Sequence, residues 1–288
     1  MSNSVTIHAI RKTSSLPKPL KTLLLSLAVS DLGVGLLVLP LRIALLIMKL
    51  EPNAENNPVF SHSKTCYLTM MNLLYYTAFF GVTALTVDRF LAIHLHLRYQ
   101  ELVTHKRVVA VVISMWVFGA IISLVALLVP ARKDRYIVFA SIEVFCLITT
   151  ALLFYKLYLA VRHHANQIDV LQVQQEAQNG EMANAARLKQ SAVGTFYVYL
   201  VFLVCYLPMN CIYCATFIAG WSTTVDFLSK YNLTPAFLTS SLNPLIYCWK
   251  MRHIRRTVMD ILQKSVITKS QLRNTLSETF KQVKPSVG

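Results

Sequence analysis

The chain has 288 residues, of which 55% are hydrophobic and 14% are charged, and its formal net charge is +15. Roughly 25% of the residues in a soluble globular domain are charged, so this composition rules out an ordinary soluble fold. The mean hydropathy is +0.50, and the apolar runs are continuous rather than alternating, which favours membrane-spanning helices over a β-barrel. No soluble domain is left to use the basic surplus for nucleic-acid binding.

Six apolar runs are long enough to cross a bilayer, because a helix needs about 20 residues to span about 30 Å. The last run is the least apolar, since Asp226, Lys230 and Asn232 dilute its first half. We therefore predict an all-α, multi-pass transmembrane helix bundle. The six predicted spans are Leu20–Met48, Leu68–Ile93, Val108–Pro130, Ile137–Val161, Thr195–Ala219 and Val225–Cys248.

The segments that flank these spans predict the limits of the membrane domain. Val5–Ile10 is apolar enough to be the end of a helix but too short to be a whole span. Lys250–Leu262 places apolar residues at helical spacing with arginines between them, which predicts an amphipathic helix on the anionic inner leaflet. Residues 263–288 are polar and are predicted to be a disordered tail. We expect a membrane domain over 1–262, with both chain ends in the cytoplasm because the basic loops lie on that side.

Several polar or helix-kinking residues lie inside these apolar runs. A charge in a membrane helix is costly and is by default a functional hypothesis, and a proline kinks the helix that contains it. One such element occurs in most of the successive spans, and Asn243 is expected to reach Asp31 in a bundle. These elements are Asp31, the pair Asp88–Arg89, Trp116, Pro208 and the pair Asn243–Pro244.

This order of elements resembles the rhodopsin-like, or class A, family of G protein-coupled receptors from about Asn3 to Leu262. The family has seven helices, and its first helix ends in Gly-Asn followed by aliphatic residues, which Ser2-Asn3-Ser4-Val5 resembles. We therefore expect six full spans plus a remnant of helix one, in a receptor truncated at its amino terminus. A short second outer loop, and Leu147 in place of the helix-five proline, point to the melanocortin, cannabinoid and adenosine branch.

The resemblance implies a conformational switch at the cytoplasmic side. Asp88 would hold Arg89 at rest, and Arg89 would face the G protein after activation. Pro208 would act as the hinge for an outward movement of helix six, and Tyr206 replaces the usual tryptophan of that motif. The family's switch residues correspond here to Asp88, Arg89, Tyr155, Tyr206, Pro208, Asn243, Pro244 and Tyr247.

The resemblance also implies a sodium ion in a polar core formed by Asp31, Ser240 and Asn243. Cys66 lies too close to Arg89 for the family's outer disulfide, and the loop Ala131–Tyr136 has no cysteine, so we expect that Cys66 does not pair with it.

The ligand pocket is less well defined by the resemblance. Met71 stands where amine receptors keep an aspartate, which argues against a monoamine, and Tyr213 stands where adenosine receptors keep an asparagine, so a nucleoside is not supported. Arg42 and Glu143 either contact the ligand or have structural roles, by snorkelling and by a buried hydrogen bond. The predicted pocket wall comprises Arg42, Met71, Asn72, Tyr75, Tyr76, Glu143, Tyr206, Asn210 and Tyr213.

The resemblance implies a plasma-membrane receptor, not an enzyme, that senses an extracellular small molecule, lipid or peptide and activates heterotrimeric G proteins in signal transduction. Arrestin and a receptor kinase would act on the tail. One alternative is a truncated product that does not signal and is retained in the endoplasmic reticulum or acts as a dominant-negative partner. A transporter is the other alternative, and it is disfavoured because the chain shows no internal repeats.

Overall fold

The computed structural model describes residues 2–14, 16–95, 98–128, 141–159, 234–250 and 254–261, most positions between 200 and 218, and positions 162, 196, 197, 263 and 271. The regular structure in these residues is helical, and they contain no strand. Four of the helices are long and apolar enough to cross a membrane. The chain is therefore an all-α membrane helix bundle, as its composition predicts.

The first membrane helix, Lys18–Met48, is interrupted near its middle by a wider turn. Helix α2 (Lys18–Gly33) passes into a π-helical segment (Val34–Val38) and then into α3 (Leu39–Met48). Pro40 lies in the first turn of α3, and its ring would clash with a carbonyl one turn earlier in a regular α-helix. The π-helical turn fits this requirement, since it inserts one residue into the helix just before the proline.

The second membrane helix, α4 (Pro58–His94), has 37 residues and begins ten residues before the predicted start at Leu68. The predicted apolar span lies within this helix apart from its extra turns at the start, because hydrophobicity marks the span whereas the helix begins at a cap. The side chain of Asn57 accepts a hydrogen bond from the Val59 amide at 2.9 Å, and Pro58 occupies the first turn. At about 1.5 Å per residue, α4 is long enough to extend beyond the hydrocarbon layer.

The remaining helices follow the predicted spans with shifted ends. A short helix, α5 (Tyr99–Leu102), precedes α6 (His105–Leu128), and α7 runs over Ser141–Leu159. The described positions between 196 and 218 are helical, and α8 covers Thr234–Lys250. Residues 129–140 and 219–233, which include the predicted ends near Pro130, Ile137 and Val225, lie outside the described residues.

Helix α4 packs against both α2 and α6, while a first helix, α1 (Ser2–Lys12), packs against α2 and α8. Gly119 on α6 allows the closest approach, since an added Cβ would lie 2.8 Å from Thr77 Oγ1 and 3.1 Å from the Leu73 carbonyl oxygen. Small residues at such contacts let membrane helices pack backbone to backbone. The opposite face of α6 exposes apolar side chains such as Ile113 and Phe118, as a surface in contact with lipid requires.

Candidate functional site

A polar core joins α2 to α8 in the interior of the bundle. Asn243 donates from Nδ2 to Asp31 Oδ2 at 2.9 Å, and both side chains are buried. The Ser240 side chain hydrogen-bonds to the same carboxylate. The Asn243 Oδ1 atom is buried and accepts no hydrogen bond from the residues described. The structure thus brings together all three residues of the predicted polar core.

The helix-breaking effect of Pro244 explains a contact between α1 and α8. Pro244 lies inside α8 and has no N–H to donate to the carbonyl of Ser240, four residues earlier. Asn3 replaces that missing donor, since its Nδ2 donates to the Ser240 carbonyl oxygen at 3.0 Å. A buried carbonyl without a partner would be costly, so Asn3 stabilises the kinked helix. Trp116 forms a second tie, because its Nε1 donates to Ser26 Oγ at 3.1 Å and links α6 to α2.

The charged pair near the carboxyl end of α4 is buried, and both of its side chains are hydrogen-bonded. Arg89 donates from Nε to Asp88 Oδ2 at 2.9 Å, and its Nη2 is bonded to the same oxygen. Tyr99 from α5 donates its hydroxyl to Asp88 Oδ1 at 2.7 Å. Burial, and then the negative charge of Asp88, raises the pKa of the Tyr99 phenol, which therefore stays protonated as a donor. Both oxygens of Asp88 are thus occupied.

The structure describes only some of the other predicted switch residues. Tyr155 on α7 is 62% exposed and does not lie in the buried core with Arg89, which is 4% exposed. Pro208 is exposed, whereas Pro244 is buried within α8. Tyr206 and the side chain of Tyr247 lie outside what the structure describes, as does Tyr213 of the predicted pocket.

A second buried cluster lies deeper in the bundle, where α4 meets α7 and the helical residues near position 210. The Tyr76 hydroxyl donates to Glu143 Oε1 at 3.3 Å, and Glu143 is 1% exposed. Tyr75 and Asn210 approach the same carboxyl group. The rings of Tyr75 and Tyr76 meet edge to face, with centroids 5.0 Å apart. Four of the predicted pocket residues therefore form one polar and aromatic cluster.

The predicted pocket residues on the outer side form a separate group. The Arg42 guanidinium carbon lies 5.7 Å from the centre of the Tyr67 ring. Met71 is buried between Tyr67 and Tyr75 along α4, and Asn72 next to it is partly buried. Tyr67 and Tyr75 are two helical turns apart, about 12 Å along the axis. Arg42 therefore marks the outer end of this face of α4, and Glu143 marks its inner end.

Sequence reasoning missed two residues that complete these sites. Tyr99 lies in a connecting segment whose only evident feature in the sequence was its positive charge, so nothing indicated a partner for Asp88. Ser26 gave no signal either, because a serine in an apolar helix usually bonds to its own backbone. Cys66 is exposed and free.

Comparison with known proteins agrees with this arrangement. Residues 2–247 match the family described as "7 transmembrane receptor (rhodopsin family)". The chain is 22% identical to adenosine receptor A2a of Canis lupus familiaris, over 94% of this chain and 71% of the relative. It is 24% identical to melanocortin receptor 5 of Pan troglodytes, over 91% and 80%, and 22% identical to adenosine receptor A2b of Bos taurus, over 94% and 87%.

These relatives confirm the predicted leaning toward the adenosine and melanocortin branch, and receptors of this kind are not enzymes. The family match extends from the first residues of α1 to the end of the Asn-Pro-x-x-Tyr motif at Tyr247, so it includes the polar core and the Asp88–Arg89 pair. The chain belongs to the rhodopsin family of seven-transmembrane receptors.

Proposed function

We propose that this chain is a ligand-activated receptor of the plasma membrane that promotes nucleotide exchange on heterotrimeric G proteins. The observation that carries this proposal is the buried cluster of Asp88, Arg89 and Tyr99 near the cytoplasmic end of α4. A buried cation saturated by an adjacent carboxylate has a stable resting arrangement. It becomes available to a cytoplasmic partner only when that arrangement opens.

The same helix connects this cluster to the ligand side. Tyr76 and Asp88 both lie on α4, twelve residues or about 18 Å apart. A ligand that changes the packing of α4 against α7 and the residues near Asn210 would therefore bias the cytoplasmic cluster. Helix six would move outward about Pro208, and Tyr155 and Tyr247 would turn inward to support the released Arg89.

We further propose that the polar core binds Na⁺. The carboxylate of Asp31, the hydroxyl of Ser240 and the Oδ1 atom of Asn243 are oxygen donors of the kind that a hard cation prefers. An ion held there would neutralise Asp31 and favour the resting bundle.

The cytoplasmic partners would include arrestin and a receptor kinase in addition to the G protein. Serines and threonines after position 263 supply acceptor sites for phosphate, and added phosphate charge would create a docking surface on the tail. The relatives are named for different ligands, adenosine and melanocortin, so their names assign neither ligand to this chain.

The test is nucleotide exchange on each class of heterotrimeric G protein in cells that express the full chain. We expect basal exchange above that of cells without the receptor, and loss of that signal in Arg89→Ala. Arg98→Ala serves as a matched control, because Arg98 is an exposed cation near the same end of the bundle. Surface labelling must show equal amounts of all three proteins. The absence of any exchange signal from a surface-expressed receptor would contradict the proposal.

A further inference from the structure

The Glu143 carboxyl group is buried, and no cationic side chain among the described residues pairs with it. Its Oε1 accepts the Tyr76 hydroxyl, whereas Oε2 is buried and accepts no hydrogen bond from any residue that the structure describes. The ion pair found within that part of the chain joins Arg89 to Asp88 and does not involve Glu143. The Glu143 carboxyl group is thus hydrogen-bonded by neutral side chains, Tyr76, Tyr75 and Asn210, and no cation from the described residues pairs with it.

Such a group is energetically expensive in a membrane protein. Burying a carboxylate costs several kcal/mol unless a cation and hydrogen bonds compensate, and a protonated carboxyl group still needs an acceptor for its hydrogen. Leucine or methionine at this position of α7 would avoid the cost entirely. An ionisable residue retained inside the membrane in this state indicates a bound partner that supplies what the protein does not.

Aromatic rings of α4 lie beside the Glu143 carboxyl group. The Tyr75 ring stacks near Phe79 with centroids 6.4 Å apart, and Tyr76 lies 6.4 Å from Phe80. Ring faces attract organic cations, and the attraction grows when water is excluded. A carboxyl group beside tyrosine rings therefore combines the two features that bind a protonated amine or amidine.

We propose that Glu143, flanked by Tyr75 and Tyr76, binds the cationic head of the ligand. This inference rests on the proposed receptor function and assigns the chemical class of the ligand to its site. Met71 argues only against an amine held by that position of α4, since the carboxyl group here stands on α7 instead. The guanidinium of Arg42 lies beside Tyr67, which is about 12 Å farther out along α4 than Tyr75. It would repel a second cation. The cationic end of the ligand therefore points inward, and a neutral or anionic end points toward Arg42.

The experiment measures the thermal unfolding midpoint of the purified full chain in lipid nanodiscs with matched small probes. Benzylamine and benzamidine are the cations, benzyl alcohol is the neutral analogue, and phenylacetate is the anion, all at the same concentration. We expect the two cations to raise the midpoint of the wild-type protein more than the other two probes do. In Glu143→Gln their apparent affinity should fall by roughly tenfold or more, because the charged hydrogen bond is lost.

Two further variants separate loss of binding from loss of structure. Glu51→Gln removes an exposed carboxylate near the outer end of α3 and should leave the probe response unchanged. Glu143→Asp keeps the negative charge on a shorter side chain and should retain part of the response, even if Glu143→Gln folds poorly. The proposal is overturned if the cations stabilise Glu143→Gln as much as the wild type. It is also overturned if neither cation shifts the wild-type midpoint, or if phenylacetate or benzyl alcohol does so equally well.

The binding readout is independent of signalling. Cation binding through Glu143, together with no exchange signal of any kind from the surface-expressed receptor, would overturn the proposed receptor function and leave the assignment of the ligand class intact. Conversely, basal exchange that depends on Arg89, with no selective response to cations, would overturn only the assignment of the ligand class.

Discussion

Asp88 on α4 and Glu143 on α7 are both almost fully buried, but their surroundings differ. Asp88 has a guanidinium on one oxygen and a phenol on the other. Glu143 has a phenol on one oxygen and no hydrogen bond to the other from the residues that the structure describes. The first acid is paired with a cation, whereas the second is paired with none in the described part of the chain.

The two carboxyl groups therefore differ in how strongly they fix the conformation around them. A carboxylate saturated by its own protein stabilises one conformation and resists change. A carboxyl group left without a cation makes the conformation around it sensitive to whatever binds there. Under the proposed function, internal bonds hold the cytoplasmic end of α4, and what binds at Glu143 sets the conformation of the ligand end.

The largest expected effect comes from removing Arg89, the cation in the buried cluster of Asp88, Arg89 and Tyr99. Arg89→Ala leaves Asp88 buried without a counter-charge, which costs about 3–5 kcal/mol of folding stability, and also removes the group that would contact the G protein. We expect nucleotide exchange to be abolished and the unfolding midpoint to fall. Full exchange activity in Arg89→Ala would show that this cluster has no part in coupling.

Two separate variants, one at each acid, test the difference between Asp88 and Glu143 directly. Asp88→Asn should weaken the hold on Arg89 by about 1.5–3 kcal/mol and raise basal exchange roughly tenfold or more. Glu143→Gln removes an uncompensated acid, so the unfolding midpoint of the ligand-free protein should stay level or rise while basal exchange changes little. Both variants are compared with the wild type by thermal unfolding and by basal exchange. A marked loss of stability in Glu143→Gln would mean that the acid is already satisfied.

The contact between α4 and α6 provides the next test, because it fixes the helix that both clusters share. In Gly119→Ala the new methyl group would press on Thr77 and on the Leu73 backbone, so the helices must separate. We expect a loss of about 1–3 kcal/mol, seen as a lower unfolding midpoint. Gly35→Ala is the matched control, since nothing lies within 4 Å of its added Cβ. Equal midpoints for the two variants would argue against close packing at Gly119.

The smallest effect is expected from removing the Tyr99 hydroxyl, which hydrogen-bonds to Asp88 in the same cluster. Tyr99→Phe keeps the ring and removes one hydrogen bond to Asp88, worth about 1 kcal/mol, so basal exchange should rise by about fivefold. Because burial and Asp88 raise the pKa of Tyr99, the wild-type phenol remains a donor well into the alkaline range. Basal exchange should therefore show no titration of Tyr99 between neutral and mildly alkaline pH. Such a titration would contradict the assigned role.

Much of the fold could be predicted from the sequence because hydrocarbon permits few solutions. Continuous apolar runs of membrane-spanning length have to be helices, and the predicted spans agree with Lys18–Met48 and His105–Leu128 to within a few residues. The start of α4 could not be predicted from hydrophobicity, since the turns before Leu68 are polar and only the Asn57-Pro58 cap indicates them. Hydrophobicity indicates which residues lie in the membrane, whereas capping residues indicate where the helix begins.

A contact within a site could be predicted only where the family motifs include both of its residues. Asp31 and Asn243 meet as expected, because a buried carboxyl group and a buried amide inside a membrane each need a polar partner. Tyr99 and Ser26 were not predictable, since their partners are fixed by the packing of connecting segments and helix faces. The separation of Arg42 from Glu143 depends on the heights at which α3 and α7 pack along α4, which residue type alone does not encode.

The π-helical turn at Val34–Val38 has a consequence for the outer surface of the receptor. One additional residue in a helix turns every later side chain by about 100° around the axis. The direction in which Arg42 faces is therefore set by that insertion as much as by its own place in the sequence. Deleting a single residue from Val34–Val38 would swing the guanidinium away from Tyr67, and a relative lacking the insertion would present a different residue at the mouth of its ligand site.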